Sequence, residues 1–299
     1  MGRLTAIVLG AAAGGGYPQW NCNCPVCRLA WTGDHRVRPR SQTSLAVHLG
    51  ERGWLLVNAS PDLRTQIMRN PVLQPRRDGR DSPIVAVLLT GAEIDQASGL
   101  LHLRERQAFT LFATPATLLA LRENPMFDAL SPEFVERRAA QPGEAFNVGE
   151  VSAEVFSVPG KVPLFLERGE PAIEETDANV GVEFTQDGRH LVFMPGAAAI
   201  TPAMRERLQR ADVILFDGTL FTDDEMIVSG TGQKTGRRMG HMPIDGVDGS
   251  LAVLAGLPGR RIYIHINNTN PILVEGSPER RYVEEAGFEI AEDGMEIRL

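Results

Sequence analysis

The chain has 299 residues, 43% hydrophobic and 23% charged, which is ordinary usage for a folded protein and too apolar for a disordered one. Lys plus Arg number 30 against 38 Asp plus Glu, a net charge of −8, so the basic surplus expected of a nucleic-acid binder is missing. No apolar run approaches the roughly 20 residues of a membrane span.

The opening stretch, MGRLTAIVLGAAAGGG, carries one Arg before an apolar run and could pass for an export signal. It reads better as a first strand entering a glycine turn, and the expected location is the cytoplasm. Short apolar runs rich in β-branched residues predict strands at 4–9, 43–49, 54–58, 84–90, 109–113, 151–158, 190–194, 213–217 and 261–266. Helices are predicted at 61–69, 95–105, 115–122, 132–138, 201–210, 249–254 and 278–286, several opening on a Ser or Thr cap followed by Pro. The charged stretches 75–83 and 167–176 read as solvated loops, and no internal repeat divides the chain. The expectation is one domain over 1–299, of mixed α/β class, with two sheets or one large sheet covered by helices.

The glycine-rich stretch 10–16 lacks the Gly-Lys-Ser/Thr ending of a phosphate loop and the GxGxxG spacing, so it reads as a turn. Directly after it come all three cysteines of the chain, Cys22, Cys24 and Cys27. An odd number packed into six positions is no disulfide framework. Three thiolates this close suit one soft or borderline ion, zinc by default, with a fourth ligand from elsewhere. Such a zinc would be structural, because a loop of Gly and Asn cannot hold itself by packing. The alternative is three small, buried, inert side chains.

Several buried runs end in polar residues, where α/β folds build their sites. The run 84–89 ends in Thr90 and is followed by Glu93 and Asp95; 213–216 ends in Asp217; 262–264 ends in His265 and Asn267. In an extended loop Glu93 and Asp95 would point the same way and repel unless a cation or a proton sits between them. A surface acid pair is the other reading.

In this region the chain resembles the metallo-β-lactamase superfamily, whose metal-binding strand ends in Thr-His-x-His-x-Asp-His and whose last ligand is a late His. Thr90 and Asp95 match the Thr and the Asp, and His265 matches the late His. Gly91, Glu93 and Gln96 stand where that motif has histidines, the segment 157–160 has no histidine, and Pro195 stands where a bridging Asp is expected. Segments 12–27, 38–44, 58–63, 156–163, 216–219, 234–242 and 265–271 narrow the resemblance to the pyrroloquinoline quinone (PQQ) synthesis B family within that superfamily.

The resemblance implies a metallo-β-lactamase-like αββα sandwich. It implies a part in making PQQ from a precursor peptide, PqqA, that contains a Glu and a Tyr. The implied activity is that of a non-heme, ferrous-iron-dependent hydroxylase acting on the tyrosine ring of the PqqA-derived Glu–Tyr intermediate, alongside other PQQ biosynthesis proteins. A soluble carrier for transport of PQQ or its precursor to the periplasm, and a metal-dependent hydrolase of the superfamily's usual type, are the alternatives. The hydrolase is disfavoured because a zinc-hydroxide mechanism wants the missing histidines.

On this reading Glu93, Asp95, Gln96 and His265 hold the active-site metal. His241 is a site acid/base or a structural hydrogen bonder, and Asp217 orients a ligand or forms a turn. Lys161, Lys234, Arg237 and Arg238 either neutralise a carboxylate-bearing substrate or are ordinary surface cations. Asn267 and Asn268 begin an amide-rich turn that binds substrate or faces the cysteine site. In related phosphodiesterases a His closes a similar three-cysteine site from the position of Asn268.

Overall fold

A computed structural model describes residues 3–169 and 172–299. Residues 1 and 2 of the proposed domain, and positions 170 and 171 of the predicted loop 167–176, lie outside the described residues.

The period of two in the apolar runs builds three layers of core. In β1 (Thr5–Gly10), Ala6 and Val8 face a central core, whereas Ile7 and Leu9 face an outer one. The strands β2 (Ser44–His48), β3 (Trp54–Val57), β4 (Ile84–Leu88), β5 (Phe109–Ala113) and β6 (Val135–Ala139) extend that sheet in chain order. The second sheet runs through β7 (Ala145–Val148), β8 (Val151–Gly160), β9 (Glu174–Gln186), β10 (Arg189–Met194), β11 (Val213–Asp217), β12 (Arg260–Ile264) and β13 (Phe288–Ile290). The last strand, β14 (Glu296–Arg298), returns to pair with β1.

The two sheets share the central core. Val8, Leu45 and Leu88 from one meet Val182, Phe193, Leu215 and Ile264 from the other. The outer face of the first sheet is covered by helices Leu63–Arg69 and Pro115–Arg122. That of the second is covered by Pro25–Trp31, Pro202–Arg210, Ser250–Val253 and Pro278–Glu285. This is the αββα sandwich, with each covering helix hiding one apolar stripe.

Strands β3 to β6 run parallel, as do β10 to β13, while the other pairs are antiparallel. The carboxyl ends of β4, β11 and β12 therefore carry the segments beginning at Thr90, Gly218 and His265, where such sheets place their sites.

Strands β7, β13 and β14 and the helices Pro25–Trp31 and Glu225–Val228 form where no element was expected, and three further stretches differ in kind or extent. The predicted helix 132–138 is instead strand β6: residues 135–139 pair in register with β5, and only Val135 of the strand is fully buried. An open strand edge offers a continuous ladder there, and that outweighs a Pro-led, charged run with modest helical preference. The predicted helix 95–105 is a single turn, Ile94–Ala97, that tightens into a 3₁₀ segment, Ser98–Leu103. Strand β9 begins inside the predicted acidic loop, at Glu174.

Candidate functional site

At the end of β11 the buried carboxylate of Asp217 accepts from Ala197 N at 3.0 Å and Thr219 N at 3.0 Å. It also holds His241 Nδ1 at 2.8 Å. Burial works against this ion, but the charge and hydrogen bond of His241 outweigh it and keep the Asp217 pKa below the usual carboxylate range. The His241 and His265 rings stack at 5.2 Å between centroids, 22° apart. One ligand-type atom from each of Asp217, His241 and His265 falls within 4.8 Å of the others.

His265 follows the last residue of β12 and sits at φ +59°, a left-handed backbone that is uncommon away from glycine and is tolerated where the surroundings fix it. Its Nε2 faces Asp95 Oδ2 at 3.2 Å. Burial works against both charges, yet each supports the other: Asp95 is held below its usual pKa and His265 above it.

Asp95, His241 and His265 line a cavity of about 310 Å³. Gly14, Gln19, Asn179, Pro195, Met226, Met239 and Asn267 complete much of its wall. Gly15 and Gly16 adopt φ +96° and +72°, so the glycine-rich stretch is a turn that brings backbone to the cavity.

Glu93 and Asp95 do not point the same way, because a helix starts at Ile94, between them. Glu93 Oε1 pairs with Lys161 Nζ at 2.8 Å and accepts from Leu164 N at 3.2 Å. Gln96 turns back on its own helix start: Oε1 accepts from Glu93 N at 3.1 Å and Nε2 reaches Thr90 Oγ1 at 3.4 Å. Lys161 is bracketed by two acids, with Glu167 Oε1 at 2.9 Å. Burial lowers its pKa, but those two partners more than reverse the effect.

The three cysteine sulfurs lie within 4.8 Å of one another. Hydrogen bonding from Cys27 lowers the Cys24 pKa to about 5, and that same contact together with burial raises the Cys27 pKa. Asn268 Nδ2 donates to Cys27 Sγ at 3.2 Å, and its carbonyl lies 3.7 Å from Cys24 Sγ. The cysteine loop and the loop after His265 are therefore joined.

Residues 53–266 match the family model described as Beta-lactamase superfamily domain. The coenzyme PQQ synthesis protein B of Methylobacterium nodulans is 52% identical over 99% of this chain and 100% of its own length. That of Rhizobium meliloti is 55% identical over 99% and 98%. The crystal structure of Zn(2+)-bound PqqB from Methylobacterium extorquens superimposes with a TM-score of 0.97 at 49% identity, covering 99% of this chain and 100% of that one. The chain belongs to the coenzyme PQQ synthesis protein B family.

Within this chain, Glu93, Asp95, Gln96, Lys161, His241, His265 and Asn267 share the one cavity. Asp217 stands behind the histidines rather than in the wall. Lys234, Arg237 and Asn268 are not among the lining residues. Lys234 faces Glu167 at 3.9 Å, Arg237 pairs with Asp248 at 2.6 Å, and Asn268 faces the cysteines. Sequence reasoning missed Gln19, Asn179 and Thr219. Thr219 alone had a signal, since it closes the Phe216-Asp217-Gly218-Thr219 segment at a strand end.

Proposed function

We propose that the protein works in PQQ synthesis as a ferrous-iron-dependent hydroxylase of the tyrosine ring in the PqqA-derived Glu–Tyr intermediate. The observation that carries this reading is the facing pair of His265 Nε2 and Asp95 Oδ2, 3.2 Å apart in a cavity wall, with the imidazole of His241 stacked beside it. Two imidazoles and a carboxylate form the donor set that suits non-heme iron. Pro195, also in the wall, offers no bridging ligand for a second ion of a two-metal hydrolase.

Asp95, His265 and His241 would hold the iron. Glu93 and Gln96 would have to leave Lys161 and the helix start to join them. Bound ferrous iron supplies the activation of dioxygen. The protein's own groups bind and orient the substrate. Met226 and Met239 give an apolar wall against which an aromatic ring can lie. Gln19, Asn179 and Asn267 offer amide donors to the carboxylates of a Glu–Tyr compound. His241 gives Nδ1 to Asp217, which fixes the ring and leaves Nε2 as the nitrogen that would hold the iron.

Zinc is assigned to Cys22, Cys24 and Cys27 as a structural ion, supported by the compact thiol group and by the zinc of the related crystal structure. Free thiols kept for a metal suit a reducing setting, the cytoplasm. No helix among the described residues is long and apolar enough to cross a membrane.

The test is oxygen uptake by ferrous-loaded protein supplied with the Glu–Tyr intermediate and a two-electron reductant such as ascorbate, because one oxygen atom enters the ring and the other leaves as water. Iron-dependent uptake matched by a ring-hydroxylated product is expected. Binding of the intermediate with neither uptake nor product would replace this reading with that of a carrier.

A further inference from the structure

We propose that Lys161 is the cation that selects a carboxylate-bearing substrate, and that Glu167 stands in for that carboxylate until the substrate displaces it. The idea rests on the reading of the cavity as the site for the Glu–Tyr intermediate, but its test measures binding and needs no iron.

Lys161 follows the end of β8 at Gly160 and lines the cavity. Gly240, at φ +89° in the same wall, lets the facing loop come close: a Cβ there would lie 3.4 Å from Lys161 N. The Lys161 side chain is only 17% exposed, so its charge needs partners. Among the described residues these are Glu93 Oε1 at 2.8 Å and Glu167 Oε1 at 2.9 Å. The chain turns back through the 3₁₀ segment Leu164–Leu166 to bring Glu167 in.

The two carboxylates are held differently. Glu93 precedes the helix Ile94–Ala97, accepts an aligned hydrogen bond from Lys161, and takes the Leu164 N–H on its two oxygens at 3.2 and 3.3 Å. Glu167 Oε1 is enclosed, yet among the described residues it has no aligned hydrogen bond, in spite of its nearness to Lys161. A misaligned contact keeps the charge attraction and forfeits the hydrogen bond. Glu167 is therefore the weaker of the two partners and the one that can leave.

Its segment is also lightly anchored. Leu164 and Phe165 are exposed, and a second cavity of about 170 Å³ separates Val162, Pro163 and Leu166 from helix Pro115–Arg122. Glu167 has another cation to turn to, the half-exposed Lys234, whose Nζ lies 3.9 Å from Oε2. A substrate carboxylate that replaces Glu167 keeps one negative charge in its place, so the exchange leaves no enclosed ammonium short of a partner. An uncharged analogue cannot make that replacement, which is what makes the arrangement selective.

The experiment is calorimetry on full-length protein as purified, without iron loading, titrated with the Glu–Tyr intermediate and with its methyl esters, which lack the carboxylate charges. Glu167→Gln keeps the shape and removes the charge. It should bind the acid about fivefold tighter or more, because Lys161 no longer has to be vacated. The esters should show no such gain. Lys161→Gln should weaken binding of the acid by about tenfold or more. Lys161→Arg should recover part of that loss, and Lys161→Gln should abolish the gain from Glu167→Gln in the double variant.

A Glu167→Gln protein with unchanged or weaker affinity for the acid, or with an equal gain for the esters, would overturn the proposal. If Lys161→Gln does not fold, the Glu167→Gln titrations decide it. Hydroxylation of the intermediate with no affinity gain in Glu167→Gln would remove the stand-in and leave the proposed function. An affinity gain without hydroxylation by iron-loaded protein would do the reverse, and binding by neither protein would overturn both.

Discussion

Glu225 is a buried carboxyl that accepts from Phe221 N at 2.6 Å and from the Thr269 hydroxyl. Burial raises its pKa from 4.5 to about 7, and the hydrogen bonds recover only part of that. The folded state therefore holds this proton more tightly than the unfolded chain. Its contribution is fully present below pH 4.5 and is lost as pH rises through about 7, a loss of about 3 kcal/mol. Glu225→Gln should flatten stability across that window and make the protein more stable above it, as read by denaturant unfolding at several pH values. A variant that keeps the wild-type slope would contradict this origin. At this scale the sequence disclosed residues that chemistry marks, such as His265 and Asp95 at strand ends. It did not disclose Gln19, Asn179 or Thr219, whose roles come from what the fold sets beside them. Lys161 was legible as a loop cation but not as one bracketed by Glu93 and Glu167.

Among the elements, the buried strands were the most legible, because β4, β10 and β11 are apolar on both faces and short. Strand β6 was not, since its charged face is what an edge strand shows to water. The polar opening of β9 hid it in the same way, although Val180 and Val182 mark its buried half. The cysteine loop was visible as a cluster, yet its junction with Asn268 required the folded chain. Trp20 is 83% exposed beside it, whereas Tyr17, Cys24, Val26 and Cys27 are buried in the core. A structural zinc contributes about 10 kcal/mol in small zinc-dependent folds. Cys27→Ser should therefore release zinc and lower Tm by about 6 °C or more, a loss of about 3 kcal/mol. Calorimetry with zinc analysis checks both, and an unchanged Tm after zinc loss would show that packing suffices.

Over the whole molecule, two sheets share a central core and direct the loops after β4, β11 and β12 to one cavity. Asp95 comes from one sheet's loops, and His265 and Asp217 from the other's, so the site exists only when both layers are in register. The cysteine loop reaches the same region through Asn268, three residues after His265. This layout predicts two separate ions: one held by soft sulfur and one by nitrogen and oxygen. The measurement that tests this most directly is metal content per chain after anaerobic purification and ferrous loading, for wild type and Asp95→Ala. The account predicts one chelator-resistant zinc in both proteins and one iron in wild type alone. Wild type that takes up no iron under ferrous loading, or Asp95→Ala that retains it, would contradict the account.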